Sequence, residues 1–148
     1  MIWSAHLLLG AAIGSKINNI YLAFPVAFIS HYILDIIPHI EYPIENLKNK
    51  KWPELLIDIL KIFFDLALAA TLILIFSSNK PEIYICAFLG ILPDLVTGFN
   101  HLFPEKALRI HDEFHQKIHF LKDKKISNFW RITSQIIVAI ISIVLLKV

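Results

Sequence analysis

Cysteine is nearly missing from this chain. Cys86 stands alone, so there is no internal disulfide and no redox pair, and the thiol reads as a small buried apolar residue. Strong charge of one sign is missing too. The 14 Lys and Arg against 12 Asp and Glu leave a net charge of +2, and the basic residues sit in loops rather than along a stripe, which argues against a nucleic-acid partner. No charge-free run reaches the roughly 20 residues of a simple membrane span, although several come close once flanking Lys and Arg are allowed to snorkel. Neither Lys nor Arg precedes the apolar start "MIWSAHLLLGAAIG", so it does not read as a cleavable signal peptide. A glycine-rich nucleotide loop and a Ser-His-Asp order are also lacking.

What remains is strongly apolar: 57% hydrophobic, 18% charged, with a mean hydropathy of +0.65 over 148 residues. That is one compact unit, and its composition is that of an integral membrane protein. Apolar segments cover residues 3–15, 21–37, 55–77, 81–99 and 130–146. Only 55–77 is comfortably long enough for about 30 Å of hydrocarbon at 1.5 Å per residue; the first is short enough to be tilted or re-entrant. Within the polar stretch 100–129, Ile110, Phe114, Ile118 and Leu121 recur at helical spacing and predict an amphipathic helix over 105–121. The expected fold is an all-α integral membrane bundle of four to five spanning or re-entrant segments in a single domain, with a cytoplasmic amphipathic helix and almost no strand.

Orientation follows from the basic residues. If all five segments cross, Lys48, Lys50, Lys51, Lys106, Arg109, Lys117, Lys122, Lys124, Lys125 and Arg131 lie at one face, and Lys16, Lys80 and Lys147 at the other. The first group is then cytoplasmic. All seven histidines (His6, His31, His39, His101, His111, His115 and His119) fall at that same face. Trp3, Trp52 and Trp130 lie at expected interfaces, as an aromatic belt would have them.

Three motifs carry chemistry. "SHYILDIIPH" puts His31 and Asp35 one helical turn apart, where they can share a metal ion or a hydrogen bond. Pro38 then ends the helix and turns His39 either towards them or away. A carboxylate in the last turn opposes the helix dipole and is costly in lipid, so Asp35 needs a partner. "ILPD" places Asp94 as a second carboxylate ligand or general base, or else as an ordinary turn residue. "HDEFHQKIH" offers His111 and His115 as imidazoles from successive turns, with His119 a weaker third; it is not an HExxH motif. Asp65, deep in the third segment, is expected to pair with Lys61.

Together these motifs resemble the small membrane-bound metal-dependent hydrolases of the LexA-regulated inner-membrane type. "AHLLLG" with His6, "ISHYILD" with Ser30, His31 and Asp35, and "ILPD" with Asp94 carry the resemblance, with His111 and His115 as the remaining pair. In this chain the His-Asp helix precedes the "LPD" element, and "HDEFHQ" stands where that family has "HRGxTHS". "HYILDIIPH" is similar, more distantly, to the H-x3-D helix of zinc-dependent phospholipase C and related nucleases. The resemblances imply an inner-membrane hydrolase with a divalent metal, zinc first and manganese second. His31, Asp35, His111 and His115 would be ligands, Asp94 a bridging ligand or the base that orients water, and His6 and His39 supports or ligands of a second ion. A site at headgroup level suits a membrane lipid or lipid-like substrate. The competing readings are a divalent-metal or proton transporter, and a structural bundle locked by His-Asp pairs. Oligomeric state is not legible.

Overall fold

The computed structural model describes residues 1–42, 46, 51–119, 121 and 125–147. Lys48, Lys50, Lys122 and Lys124, which enter the count of basic residues, lie outside the described residues, as does the side chain of Trp52. The described residues form six helices and no strand: α1 (Trp3–Lys16), α2 (Ile20–Ile36), α3 (Trp52–Phe76), α4 (Pro81–Leu102), α5 (Lys106–Ile118) and α6 (Asn128–Lys147).

Their ends follow local chemistry. Asn19 caps α2 by accepting the Tyr21 N–H, and Ile37, held extended ahead of Pro38, stops it. Pro53 and Pro81 stand in the first turns of α3 and α4, where a missing N–H costs nothing. The fourth apolar segment runs past Phe99 to Leu102, and Pro93 lies within it. Asp94 is therefore a helix residue and not a turn residue.

Three helices are long and apolar enough to cross a membrane: Pro53–Phe76, Pro81–Leu102 and Asn128–Lys147, with mean hydropathies of 2.4, 1.5 and 2.0. α2 is apolar but shorter. Large apolar side chains such as Phe63, Phe64, Leu68, Ile75, Ile137 and Ile141 face outwards, while His6, His31 and Asp35 are buried. This inside-out distribution suits a lipid surround.

The shortest of the apolar helices is the hub. α1 packs on α2, α3, α4 and α6, and Leu8, Ala11 and Ala12 join Ala69, Ile73, Ile83, Ala87 and Leu146 in the main core. Its approach to α4 is close because both helices present glycine there. A Cβ on Gly10 would collide with the Cys86 carbonyl, one on Gly14 would sit 2.8 Å from the Glu82 oxygen, and one on Gly90 2.6 Å from the His6 oxygen. Gly10 and Gly14 make a GxxxG pair, the spacing that lets membrane helices meet backbone to backbone.

The expected Asp65–Lys61 pair does not form. Lys61 Nζ donates to Asp58 Oδ1 at 3.1 Å, and Asp65 Oδ2 accepts the Ser4 backbone N–H at 2.8 Å. The reason lies in α1: its flanking residue Ile2 offers no side-chain cap, and its first N–H groups lack intrahelical acceptors. A carboxylate from α3 fills that role and complements the helix dipole. Asp65→Ala is expected to lower stability by about 1.5–3 kcal/mol, the range for a hydrogen bond to a charged group; thermal denaturation in detergent against Lys61→Ala, expected near neutral, checks it.

Candidate metal centre

Polar side chains from four helices and two connections meet around Asp35. His31 and Asp35 come from the last turns of α2, Asp94 from α4, His115 from α5 and His119 from just beyond it, His6 from α1, and His39 from the segment after α2. α5 turns back over the bundle after Phe103 and Pro104. The face it turns inward carries His111, His115 and His119; the apolar residues Ile110 and Phe114 stay exposed. Periodicity identified both stripes but not which one faces the protein.

The first group of donors is His31, Asp35, Asp94 and His115, and it could hold a metal ion. His31 Nε2 lies 2.9 Å from Asp35 Oδ2, His115 Nε2 lies 3.0 Å from the same oxygen, and the two nitrogens are 3.0 Å apart. Asp94 Oδ1 stands 3.7 Å from each nitrogen. A tetrahedron with metal–ligand arms of about 2.0–2.1 Å has edges of about 3.3–3.4 Å, and these five separations straddle that value. The group is compatible with one cation.

Tautomers sharpen the argument. His31 Nδ1 is 2.7 Å from the Gly90 carbonyl, which only accepts, so Nδ1 carries a hydrogen and Nε2 is turned on Asp35. His39 Nδ1 donates likewise to the Ile37 carbonyl at 2.6 Å. His115 Nδ1 is held by the Thr97 hydroxyl at 2.9 Å. Such backbone and hydroxyl contacts orient imidazoles at metal sites. Lone pairs and a carboxylate facing one another at hydrogen-bond distance need cations between them, either protons or a metal ion.

The second group, Asp35 with His39 and His119, shares the same carboxylate. His39 turns towards Asp35, its Nε2 3.8 Å from Oδ1. His119 Nε2 is 3.3 Å from Oδ2, and its Nδ1 is 2.8 Å from Glu41 Oε1. Burial works to lower the His119 pKa, but the contacts with Asp35 and Glu41 outweigh it and raise the value to about 9. The two carboxylates favour the imidazolium form, so a cation using Nε2 competes with a proton there.

Two residues expected as ligands stand differently. His6 stacks on His31, with ring centroids 4.0 Å apart, and its Nε2 lies 3.2 Å from Asp35 Oδ1, so it flanks the centre. The Met1 amine also lies 2.7 Å from Asp35 Oδ1. His111 is outside both donor groups: its Nε2 pairs with the Tyr32 hydroxyl at 3.0 Å. Burial, then His115, lowers its pKa, and the neighbouring turn supplies the imidazole instead. His119, the weaker candidate by sequence, belongs to the second donor group; its signal was the third step of the H-x3-H-x3-H run. Glu41, Thr97 and the Gly90 carbonyl had no spacing signal at all.

Asp94 differs from Asp35 in its surroundings. Its side chain is 16% exposed where that of Asp35 is fully enclosed, and its Oδ2 has no hydrogen-bond partner among the described residues. It also lines a cavity together with His115 and His119. Comparison with protein-family models, curated proteins and solved structures finds no match.

Proposed function

We propose that the protein is a membrane-embedded, metal-dependent hydrolase that cleaves an ester or phosphoester of an amphiphilic substrate at the cytoplasmic face. The observation that carries this reading is Asp94, with one carboxylate oxygen towards the donor group and the other unpartnered beside a cavity. His31, Asp35 and His115 would hold the cation with Asp94, and the spacing suits zinc better than manganese, which favours more oxygen donors. When bound, the cation supplies Lewis acidity towards the scissile bond and towards water. Asp94, whose side chain lines the cavity, would take a proton from water there; His31 and His115 stay oriented through Gly90 and Thr97.

Orientation rests on the basic residues. Lys51 and Lys125 in connections, Lys106, Arg109 and Lys117 on α5 and Arg131 in the first turn of α6 belong to the end of the bundle that carries the donor groups, and Lys16, Lys80 and Lys147 to the opposite end. The resemblance to inner-membrane metal-dependent hydrolases agrees with this placement. A transporter fits less well, because the imidazoles gather at one end rather than threading the bundle.

Mass spectrometry of the detergent-purified protein is expected to find about one to two equivalents of zinc or manganese. With metal saturating, Asp94→Asn is expected to keep the cation and lose about 10²–10⁴-fold in turnover of a phosphoester or ester probe, the range for a general base. No metal above background after zinc is added back would overturn the reading and leave a bundle locked by His-Asp pairs.

A further inference from the structure

Four glycines occur in the chain, and three have a packing reason: Gly10, Gly14 and Gly90 lie where α1 and α4 meet. Gly98 has none. A Cβ there would find nothing within 4 Å, although glycine inside a helix is disfavoured against almost every other residue. It stands one turn from Asp94 on the same face of α4 and opens onto the cavity that Asp94 lines.

That cavity measures about 490 Å³, the size of a site for one small molecule. Its walls change character along its length. Asp94, His115 and His119 stand at the metal centre, while Ile59 and Ile62 of α3 face Leu95 and Phe99 of α4. From Asp94 to Leu102 the groove follows α4 for about 12 Å at 1.5 Å per residue, towards the end that carries the basic connections. Ile59 and Phe99 are 52% and 55% exposed, so the groove opens sideways between two helices with apolar outer surfaces.

We infer that this groove takes the apolar chain of the substrate, an anionic single-chain amphiphile such as an alkyl or prenyl phosphate ester, and that Gly98 keeps its path to Asp94 clear. The inference rests on the metal-centre reading for the head and on the shape and apolar walls of the groove for the chain. A side chain at position 98 would occupy the path without disturbing helix packing, which makes Gly98 a specificity-determining residue rather than a structural one.

The test uses a dodecyl phosphate bearing a terminal diazirine, photoactivated with the full chain in phosphatidylcholine nanodiscs and mapped by mass spectrometry. Labelling is expected to concentrate on peptides containing Ile59 and Phe99, to be competed by dodecyl phosphate, and to fall at least about tenfold in Gly98→Leu. Gly98→Ala, which adds one methyl in open space, is expected to keep the label and to melt no lower than the wild type. In parallel, hydrolysis of p-nitrophenyl phosphate by the wild-type protein is measured as the readout of the metal centre. Labelling spread evenly over the exposed faces of α3 and α6, and equal in Gly98→Leu, overturns the inference even if the metal and the hydrolysis are present. Groove labelling that survives a chelator, with no hydrolysis of any probe, supports the chain site and instead overturns the hydrolase reading.

Discussion

Asp35→Ala is expected to empty the centre of metal and to cost about 3–5 kcal/mol of stability, the range for removing one member of a buried charge pair. The side chain is fully enclosed, and both donor groups use it. It faces the Met1 amine at 2.7 Å, His31 at 2.9 Å and His115 at 3.0 Å. Without the carboxylate, the amine and imidazole groups that surround it lose their partner in an enclosed site, and each is left with an uncompensated desolvation cost. Metal content and thermal denaturation, measured together in detergent, check both parts. Asp35→Asn separates them: it keeps the shape and one acceptor oxygen, so it is expected to lose the metal yet fall between wild type and Asp35→Ala in stability. A variant that keeps its metal and loses less than about 1 kcal/mol, the worth of an ordinary hydrogen bond, would show that the cluster is not organised around Asp35.

The second large effect is expected at Gly10, far from any donor atom. Gly10→Ala puts a methyl onto the Cys86 carbonyl, a backbone atom that cannot rotate away. α1 and α4 must separate, at an expected cost of about 1–3 kcal/mol, as for overpacking elsewhere. The consequence reaches the centre because the Gly90 carbonyl that orients His31 belongs to the same contact. Metal affinity is therefore expected to fall by about 10–100-fold, the usual effect of disturbing a residue that orients a ligand. Gly98→Ala is the control with the opposite sign: the same substitution in open space is expected to stabilise α4 by up to about 1 kcal/mol. Melting temperatures and zinc titrations of the two variants side by side decide the matter; equal behaviour would mean that the helix contact does not govern the centre.

Much of this arrangement is legible in the residues themselves, and the reason is periodicity. Five apolar runs and one amphipathic stretch match the six helices, and no strand forms among the described residues. "SHYILD" puts His31 and Asp35 one turn apart, because a helix turns once every 3.6 residues whatever surrounds it. The polar tail after α4 is read as an amphipathic helix from the spacing of Ile110, Phe114 and Ile118, and α5 spans Lys106–Ile118. The cost of burying an ionisable group in lipid is also a property of the residue alone, which is why Asp35 declares a need for partners before any fold is known.

What the chain could not announce was set by contacts between distant segments. Asp65 sits one turn from Lys61, so local spacing favours their pairing; the start of α1, short of an acceptor for Ser4, takes the carboxylate instead. His111 and His119 are equivalent by spacing, each four residues from His115. The angle at which α5 folds back decides between them, bringing His119 to Asp35 and Glu41 and His111 to Tyr32. Ligand identity along a helix is a question of rotation about its axis, and rotation is determined by what the helix packs against. The groove beside Gly98 is likewise invisible in sequence, since a glycine required by a neighbour and a glycine kept for an open path are the same letter. The sequence alone thus determined the helices, the apolar surface and the His and Asp pairs within single turns. Only the tertiary structure chose which imidazoles converge on Asp35 and where space is left beside them.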